Sequence, residues 1–190
     1  MLRLSREDDL PLVQNLIVDG AKAGSFDSAL AEPTNEAAYF FSGMRRVVQE
    51  HVWLRPAPSG EARLAIPAAI WVYEERYVGR GPLGFFAVRG AGNFGYELWL
   101  AAIQPEYRSR GLGKQMMSEI LATPVGRQIM VVQCDLLAIG ARRLARIRCQ
   151  AGFQSARRGS SCEWLANPGL PPSALAWLKT APFRGTSQMH

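Results

Sequence analysis

One short run of the sequence, RSRGLGK at Arg108–Lys114, combines two arginines, two glycines and a lysine. The apolar run Leu98–Ile103 precedes it, and Met116, Ile120 and Leu121 recur at helical spacing after it. Glycines let the main chain approach a ligand closely, and the first amides of a helix attract anions. The run therefore predicts a binding site for a phosphate-bearing ligand, at a turn between a strand and a helix.

Two familiar phosphate-binding motifs do not account for this turn. A Walker A loop needs a glycine five residues before Gly113 and a serine or threonine two residues after it, but Arg108 and Gln115 occupy those positions. A second run, GAGNFG at Gly90–Gly95, has the spacing of a dinucleotide-binding fingerprint. It leads into the apolar β stretch Tyr96–Ile103 instead of a helix, so we interpret it as a hairpin turn.

The order of elements along the chain predicts an α+β domain. A strand at Leu2–Leu4 precedes two amphipathic helices, the first capped by Asp8 or Asp9 and the second capped by Asn35 and running to His51. After a Pro/Gly-rich loop at Arg55–Arg63, the remaining elements are three β-rich runs at about 68–75, 83–89 and 96–103, a helix at 113–121, a strand at 129–134, a helix at 139–150, and two short strands near 153–157 and 161–165.

Length and composition indicate one domain that binds a charged ligand. The 190 residues are 48% hydrophobic, enough for one core, and the net charge of +6 comes almost wholly from arginine. We expect residues 1–166 to form the domain and 167–190 a C-terminal extension with a short helix. The sequence has no signal-peptide pattern, no membrane-length apolar run and no Cys-x-x-Cys pair, so we expect a cytoplasmic protein with no membrane contact and no metal site.

The turn and its surroundings resemble the GNAT N-acetyltransferases, whose motif Arg/Gln-x-x-Gly-x-Gly/Ala lies between a central strand and a helix. Arg108, Gly111 and Gly113 fit this motif, and Gly152-Phe153 matches a Gly-Phe pair found later in the family. The resemblance covers about residues 2–166. It implies a single-domain GNAT-like fold, with a mixed central sheet of about six or seven strands flanked by three to four helices.

The resemblance also implies acetyl-CoA as co-substrate and an unidentified primary amine as acceptor. In the family, amides of the turn bind the pyrophosphate and the preceding strand pairs with the pantetheine arm. The positions that correspond here are Ala102, Ile103, Arg108, Ser109, Arg110, Gly111, Leu112, Gly113 and Lys114. We expect the oxyanion donor to be a main-chain amide near Ala102 or Ile103, where the family's strand bulges. The acceptor would be bound by the Asn35–His51 helix, the loop after Leu54 and the final hairpin, with the stretch from Ser25 to Arg63 as one wall of its pocket.

Glu97 is the candidate general base. It lies 14 residues before Gly111, the spacing of the catalytic glutamate in the histone acetyltransferase branch of the family. The alternative interpretation is a solvated strand carboxylate. Simple strand alternation predicts that Glu97 shares a face with Trp99 and Ala101, opposite Leu98 and Leu100.

The position at which many family members carry the general acid holds a different residue in this chain. Where many members have a tyrosine four residues before the Gly of Gly-Phe, this chain has Arg148, and the usual asparagine seven residues earlier is Ala141. Arg148 either steadies the thiolate or a cofactor oxygen, or extends to solvent and leaves water as the proton donor. Tyr107 and Cys149 are weaker candidates for the acid.

Two other functions stay open at this point. The missing tyrosine and asparagine fit a regulatory module that binds acyl-CoA without turnover. Arg142, Arg143 and Arg146, with Arg157 and Arg158, fit a toxin that acetylates aminoacyl-tRNA, although a solvated helix face is the favoured interpretation because no aromatic platform accompanies these arginines. The sequence does not decide between a monomer and a homodimer.

Overall fold

The computed structural model describes residues 1–56, 62–74, 81–91, 95–135, 152–158, 162–168, 172–173 and 176. These residues form three α-helices, α1 (Leu10–Lys22), α2 (Asn35–Glu50) and α3 (Leu112–Ala122). Eight strands accompany them: β1 (Leu2–Leu4), β2 (Val52–Pro56), β3 (Arg63–Tyr73), β4 (Gly84–Gly90), β5 (Tyr96–Ile103), β6 (Ile129–Asp135), β7 (Gln154–Arg158) and β8 (Cys162–Ala166). The predicted helix at 139–150, and most of the predicted extension at 167–190, lie outside the described residues.

The strands form one mixed sheet in the order β1-β3-β4-β5-β6-β8-β7, with β2 pairing to the first half of β3. All neighbours are antiparallel except β5 and β6, which are parallel and joined through α3. The α+β class is as predicted from the sequence, and so is the order of those predicted elements that lie within the described residues. The described strands number eight, against an expected six or seven, because the predicted loop after Leu54 begins as the strand β2.

The strand β2 was not predicted, because its sequence has features that are typical of a loop. Pro56 and Pro67 both lie in the β2–β3 pair, where Pro56 faces Arg63 and Pro67 faces Val52. Proline cannot donate a ladder hydrogen bond, and it is tolerated where a strand has a free edge. β2 pairs only with β3 among the described strands, so the pair accommodates both prolines.

The two faces of the sheet carry separate apolar clusters. On one face, α1 and α2 cover the sheet through Val13, Ile17, Phe40 and Met44, which are at most 1% exposed. The other face is covered by α3, through Met116, Met117 and Ile120, together with Phe153 and Leu165. Within the described residues, helices therefore cover both faces of the sheet.

Two caps fix where α2 begins and ends. The Thr34 hydroxyl oxygen accepts a hydrogen bond from the Ala37 amide, so Thr34 is the N-cap and Asn35, the predicted cap, is the first helical residue. His51 ends the helix in the left-handed conformation, with φ of 56°. The sequence places His51 on the apolar face of this helix, but His51 is exposed because it lies just past the last helical residue.

A buried ion pair ties β1 to the start of α1 and to β3. Arg3 donates to both carboxylate oxygens of Asp9, at 2.7 and 2.9 Å, and its Nε donates to Glu74. Burial alone would raise the pKa of Asp9, but the hydrogen bonds from Arg3 and from the Arg6 amide hold that pKa below its ordinary value. The pair therefore stabilises the fold in its charged form.

Replacing Asp9 by asparagine should lower the free energy of unfolding by about 2–3 kcal/mol at pH 7. This is less than the roughly 3–5 kcal/mol for breaking a fully buried pair, because the Arg3 side chain is 25% exposed. Urea denaturation measures the loss. Glu50→Gln is the control, since the exposed Arg46–Glu50 pair should contribute under about 0.5 kcal/mol.

The same pair gives a pH dependence of stability. A carboxyl whose pKa is lowered by folding stabilises the protein above its unfolded-state pKa, about 3.9, and that contribution is lost as the pH falls through the lower folded value. The unfolding free energy of the unmodified chain should therefore decrease more steeply below about pH 4 than that of Asp9→Asn. Parallel slopes for the two proteins would contradict this assignment.

Candidate active site

The parallel pairing between β5 and β6 ends at Leu98. The paired residues are Tyr96 with Ile129, Glu97 with Val131 and Leu98 with Val132, although β5 continues to Ile103 and β6 to Asp135. Beyond Leu98 the two strands are no longer paired, and among the described strands neither has another partner on that side. We call the gap between these unpaired carboxyl-terminal halves of two central strands the cleft.

A β-bulge lies at the same point on β5. Across the β4–β5 pair, Val88 faces Leu98 and Ala87 faces Leu100, so Trp99 is the extra residue. We expected the bulge near Ala102 or Ile103, and that expectation is wrong. The register of β4, which cannot be read from β5 alone, determines where the extra residue falls.

The bulge changes which side chains share a face. Trp99 and Leu100 both pack toward α1 and α2, and Ala102 follows them, whereas Ala101 joins Leu98 on the α3 face. Simple alternation predicted that Trp99 and Ala101 share one face and that Leu98 and Leu100 share the other. Both predictions are wrong, because the extra residue shifts the alternation after Trp99. Glu97 keeps its predicted place on the face of Trp99.

At the end of β5, two successive main-chain carbonyl groups point to opposite sides of the strand. The Ala102 carbonyl oxygen lies so close to Gly84 on β4 that a Cβ atom at that glycine would collide with it. The next carbonyl, that of Ile103, accepts a hydrogen bond of 2.9 Å from Arg108 Nε. By strand alternation, Ile103 and Ala101 direct their main-chain groups away from β4 and toward the cleft, while those of Ala102 face β4.

The predicted anion-binding turn follows directly. Gly111 has φ of 80° and is the N-cap of α3, where no side chain caps the helix. The Gly111 carbonyl accepts from the Lys114 and Gln115 amides. Within the described part of the chain, the amides of Gly111, Leu112 and Gly113 donate to no acceptor. These three donors, at the positive end of the α3 dipole, form a site for an anion.

Cationic side chains surround these amides. Arg108, Arg110 and Lys114 are all exposed, and the Arg110 guanidinium lies 5.7 Å from the centre of the Tyr107 ring. Arg108 uses its Nε for the Ile103 carbonyl, which leaves its two Nη groups for an anion. Ser109 has φ of 67°, so it takes part in the tight path of the turn. The residues present fit a pyrophosphate group in both charge and hydrogen-bond donors.

Glu97 is buried and paired, not solvated. Its side chain is 8% exposed, and Arg89, its partner across the β4–β5 pair, donates from Nε to Oε2 at 3.0 Å and from Nη2 to Oε1 at 3.4 Å. The Arg89 guanidinium also lies 4.8 Å from the centre of the Trp99 ring. Arg89 was not singled out from the sequence. The predicted hairpin could have indicated the pair, since Arg89 directly precedes the GAGNFG turn and the oppositely charged Glu97 follows it by two residues.

An aromatic cluster supports this pair from the α2 side. The ring of Trp99 lies 4.6 Å from that of Trp53 and 5.6 Å from that of Phe40, measured between centroids. Phe40 belongs to α2, the helix predicted to contact the acceptor, and Trp53 follows it on β2. The cluster fixes Trp99, and Trp99 in turn limits where the Arg89 guanidinium can lie.

Several predicted residues cannot be placed. Arg148, Ala141, Cys149 and the arginine face at Arg142, Arg143 and Arg146 lie outside the described residues. Tyr107 is half-buried in a short 3₁₀ turn between β5 and the anion-binding turn. Within the residues that the structure describes, no group of three or more His, Cys, Asp or Glu side chains could hold a metal ion, and no helix could cross a membrane.

The sequence of this chain matches a known protein family. Residues 34–148 match the model of the acetyltransferase (GNAT) family, well over half of the chain. The chain belongs to the GNAT family. The GNAT family uses acetyl-CoA as co-substrate. No curated protein sequence matches this GNAT chain.

Solved structures give the same fold at low identity. An N-acetyltransferase from Staphylococcus aureus Mu50 is 13% identical with a TM-score of 0.57, and covers 87% of this chain and 98% of its own. A ribosomal-protein-alanine N-acetyltransferase from Brucella melitensis is 14% identical with a TM-score of 0.55. This match covers 87% of the present chain and 97% of the Brucella chain. A Mycobacterium tuberculosis protein solved in complex with CoA is 19% identical with a TM-score of 0.53. This match covers 84% of the present chain and 74% of the Mycobacterium chain. These likenesses establish the GNAT fold.

The glycine at the head of α3 gives a direct test of the turn. An alanine at position 111 would meet no neighbouring atom, so its whole cost is the positive φ, about 1–2 kcal/mol. Gly111→Ala should therefore weaken acetyl-CoA binding by up to about tenfold, as the unliganded turn relaxes away from the binding conformation. Isothermal titration calorimetry measures the Kd.

Gly81→Ala is the matched control, because Gly81 also has open space around it but no positive φ. It should leave the Kd for acetyl-CoA unchanged. Equal affinities for the two variants would show that the strained turn at Gly111 does not shape the anion site.

Proposed function

We propose that this GNAT protein transfers an acetyl group from acetyl-CoA directly to a primary amine, with Glu97 as the general base. The observation that carries the proposal is the coincidence of three features on β5. The strand leaves β6 after Leu98, it bulges at Trp99, and it leads within eight residues of Ile103 to the open amides of Gly111.

The turn and the open edge of β5 orient the co-substrate. Amides of Gly111, Leu112 and Gly113, with the exposed cations around them, bind the pyrophosphate. The cleft-facing main-chain groups of Ala101 and Ile103 are placed to hydrogen-bond the amide-bearing pantetheine arm, and of the two predicted strand residues Ile103 serves better than Ala102. The thioester then lies toward the bulge, where irregular pairing frees main-chain amides for the oxyanion.

The reaction needs a neutral amine and a proton for the departing thiolate. The amine nitrogen forms a bond to the acetyl carbon, the C–S bond breaks, and the amine loses one proton while the thiolate gains one. Each oxygen of Glu97 has a second lone pair beyond the one that Arg89 occupies, so the carboxylate can accept the amine proton directly or through a water. Arg148 remains a candidate for steadying the thiolate. In the alternative, Arg148 extends to solvent and water is the proton donor.

Glu97→Gln should reduce kcat by about 10²–10⁴-fold, the usual contribution of a positioned base, while the Kd for acetyl-CoA stays within twofold. Glutamine keeps the volume and can still accept from Arg89. Release of free thiol from acetyl-CoA measures the rate, and Glu50→Gln on the exposed end of α2 is the control. A rate equal to that of the unmodified enzyme would remove Glu97 from the mechanism.

Acetyl-CoA binding is tested separately by thermal stability. A ligand at about 100 times its Kd should stabilise the fold by about 2.7 kcal/mol, which raises the midpoint by several degrees. Free CoA should give a comparable shift, because the pyrophosphate contacts are the same, and longer acyl-CoAs report the length of chain that fits. No shift with any of these ligands would contradict the proposed function.

A second function is supported by one observation. Both oxygens of Glu97 accept from Arg89, and a carboxylate held in this way fits a module that binds acyl-CoA without turnover. Stabilisation by acetyl-CoA without acetyl transfer to any amine would select this alternative over the enzyme.

A further inference from the structure

Arg89 is held in one orientation from two directions. Glu97 contacts the side of the guanidinium through Nε and Nη2, and the Trp99 ring lies beneath it at 4.8 Å. Trp99 is itself packed against Trp53 and Phe40. An arginine fixed in this way has lost most of its side-chain freedom before any ligand arrives, so a ligand that binds it pays little of that ordering cost.

The guanidinium still has donors to offer. Of its five N–H groups, two donate to Glu97, and in the described residues no other acceptor is contacted. The Arg89 side chain is 26% exposed, whereas that of Glu97 is 8% exposed, so part of the arginine is open to solvent beside the buried carboxylate. Since Glu97 takes one N–H each from Nε and Nη2, the Nη1/Nη2 fork still has an N–H on each nitrogen and can match a carboxylate in two parallel hydrogen bonds.

The two charges together select a particular kind of ligand. A simple anion approaching Arg89 would be repelled by Glu97, and a simple alkylammonium approaching Glu97 would be repelled by Arg89. A zwitterion can place its negative group on the arginine and its amine near the glutamate, so that opposite charges meet at both ends. The pair lies on the sheet face covered by α2, two residues before the bulge on β5.

We propose that Arg89 is a specificity-determining residue that binds the carboxylate of an amino-acid-type acceptor, whose amine lies beside Glu97. This inference rests on the proposed acetyl transfer and adds the class of acceptor: a free amino acid or an analogue in which a carboxylate is one or two carbons from the amine. The Nη1/Nη2 fork holds the carboxylate, and the bound acceptor then directs its nitrogen toward the thioester at the bulge.

Matched acceptors test the class. Each of several L-amino acids is compared with its primary amide and its decarboxylated amine, for example tyrosine with tyrosinamide and tyramine, or histidine with histidinamide and histamine. Thiol release gives kcat and KM for each. The amino acids should exceed both partners in kcat/KM by about ten- to hundredfold, the usual effect of a charge-assisted bidentate pair. Equal or reversed preference overturns the assignment of the acceptor class while leaving acetyl transfer intact.

Variants of Arg89 test the residue. Arg89→Gln should raise KM for the preferred amino acid by about ten- to hundredfold, with a much smaller change for the decarboxylated amine and none in the Kd for acetyl-CoA. Arg127→Gln is the control, since Arg127 is an exposed arginine in the short 3₁₀ turn Gly126–Gln128 between α3 and β6, outside the proposed site.

Arg89→Lys separates recognition from folding. Lysine keeps the charge beside Glu97 but lacks the planar fork, so this variant should melt near the unmodified enzyme and still lose most of the preference for amino acids over amines. A lysine variant with full preference, or a glutamine variant that loses all acceptors equally, would reduce Arg89 to a structural partner of Glu97. Absence of acetyl transfer to every amine, with or without acetyl-CoA binding, would instead overturn the proposed function, and this inference with it.

Discussion

The separation of β5 from β6 after Leu98 is the constraint on which the site depends. Parallel neighbours that stay paired would bury the main chain of Trp99–Ile103 in ladder hydrogen bonds and leave nothing for a ligand. Because the pairing stops, a run of main-chain donors and acceptors faces a cleft instead. The turn at Arg108–Lys114 lies at the end of that same strand, so the polar edge and the amide-rich helix start belong to one continuous surface.

The bulge at Trp99 determines which side chains lie next to the candidate base Glu97. It places Trp99 and Leu100 side by side on the α2 face, and Trp99 then supports Arg89, which holds Glu97. Without the extra residue, Leu100 would lie on the α3 face and the last residues of β5 would exchange faces. One irregularity therefore sets both the direction of the main chain in the cleft and the surroundings of the candidate base.

The parts of the site made from local sequence were predictable, and those made by strand register were not. A glycine-bearing turn between an apolar strand and an amphipathic helix is visible in Arg108–Leu121, and the class and order of elements follow from the two hydrophobic periods. The position of the bulge depends on how β4 aligns with β5, which is a non-local property. β2 was missed for a related reason, because Pro56 and Pro67 give a loop signal that an edge pairing overrides.

The division between main chain and side chain also explains how this fold persists at 13–19% identity. In the proposed mechanism the co-substrate is bound chiefly by main-chain amides, and amides need only a backbone path, which a few glycines and an apolar pattern maintain. The proposed acceptor site depends instead on the side chains of Arg89 and Glu97, which can change without disturbing that path. The fold is therefore recognisable at low identity, but the acceptor must be inferred from the side chains of each chain separately.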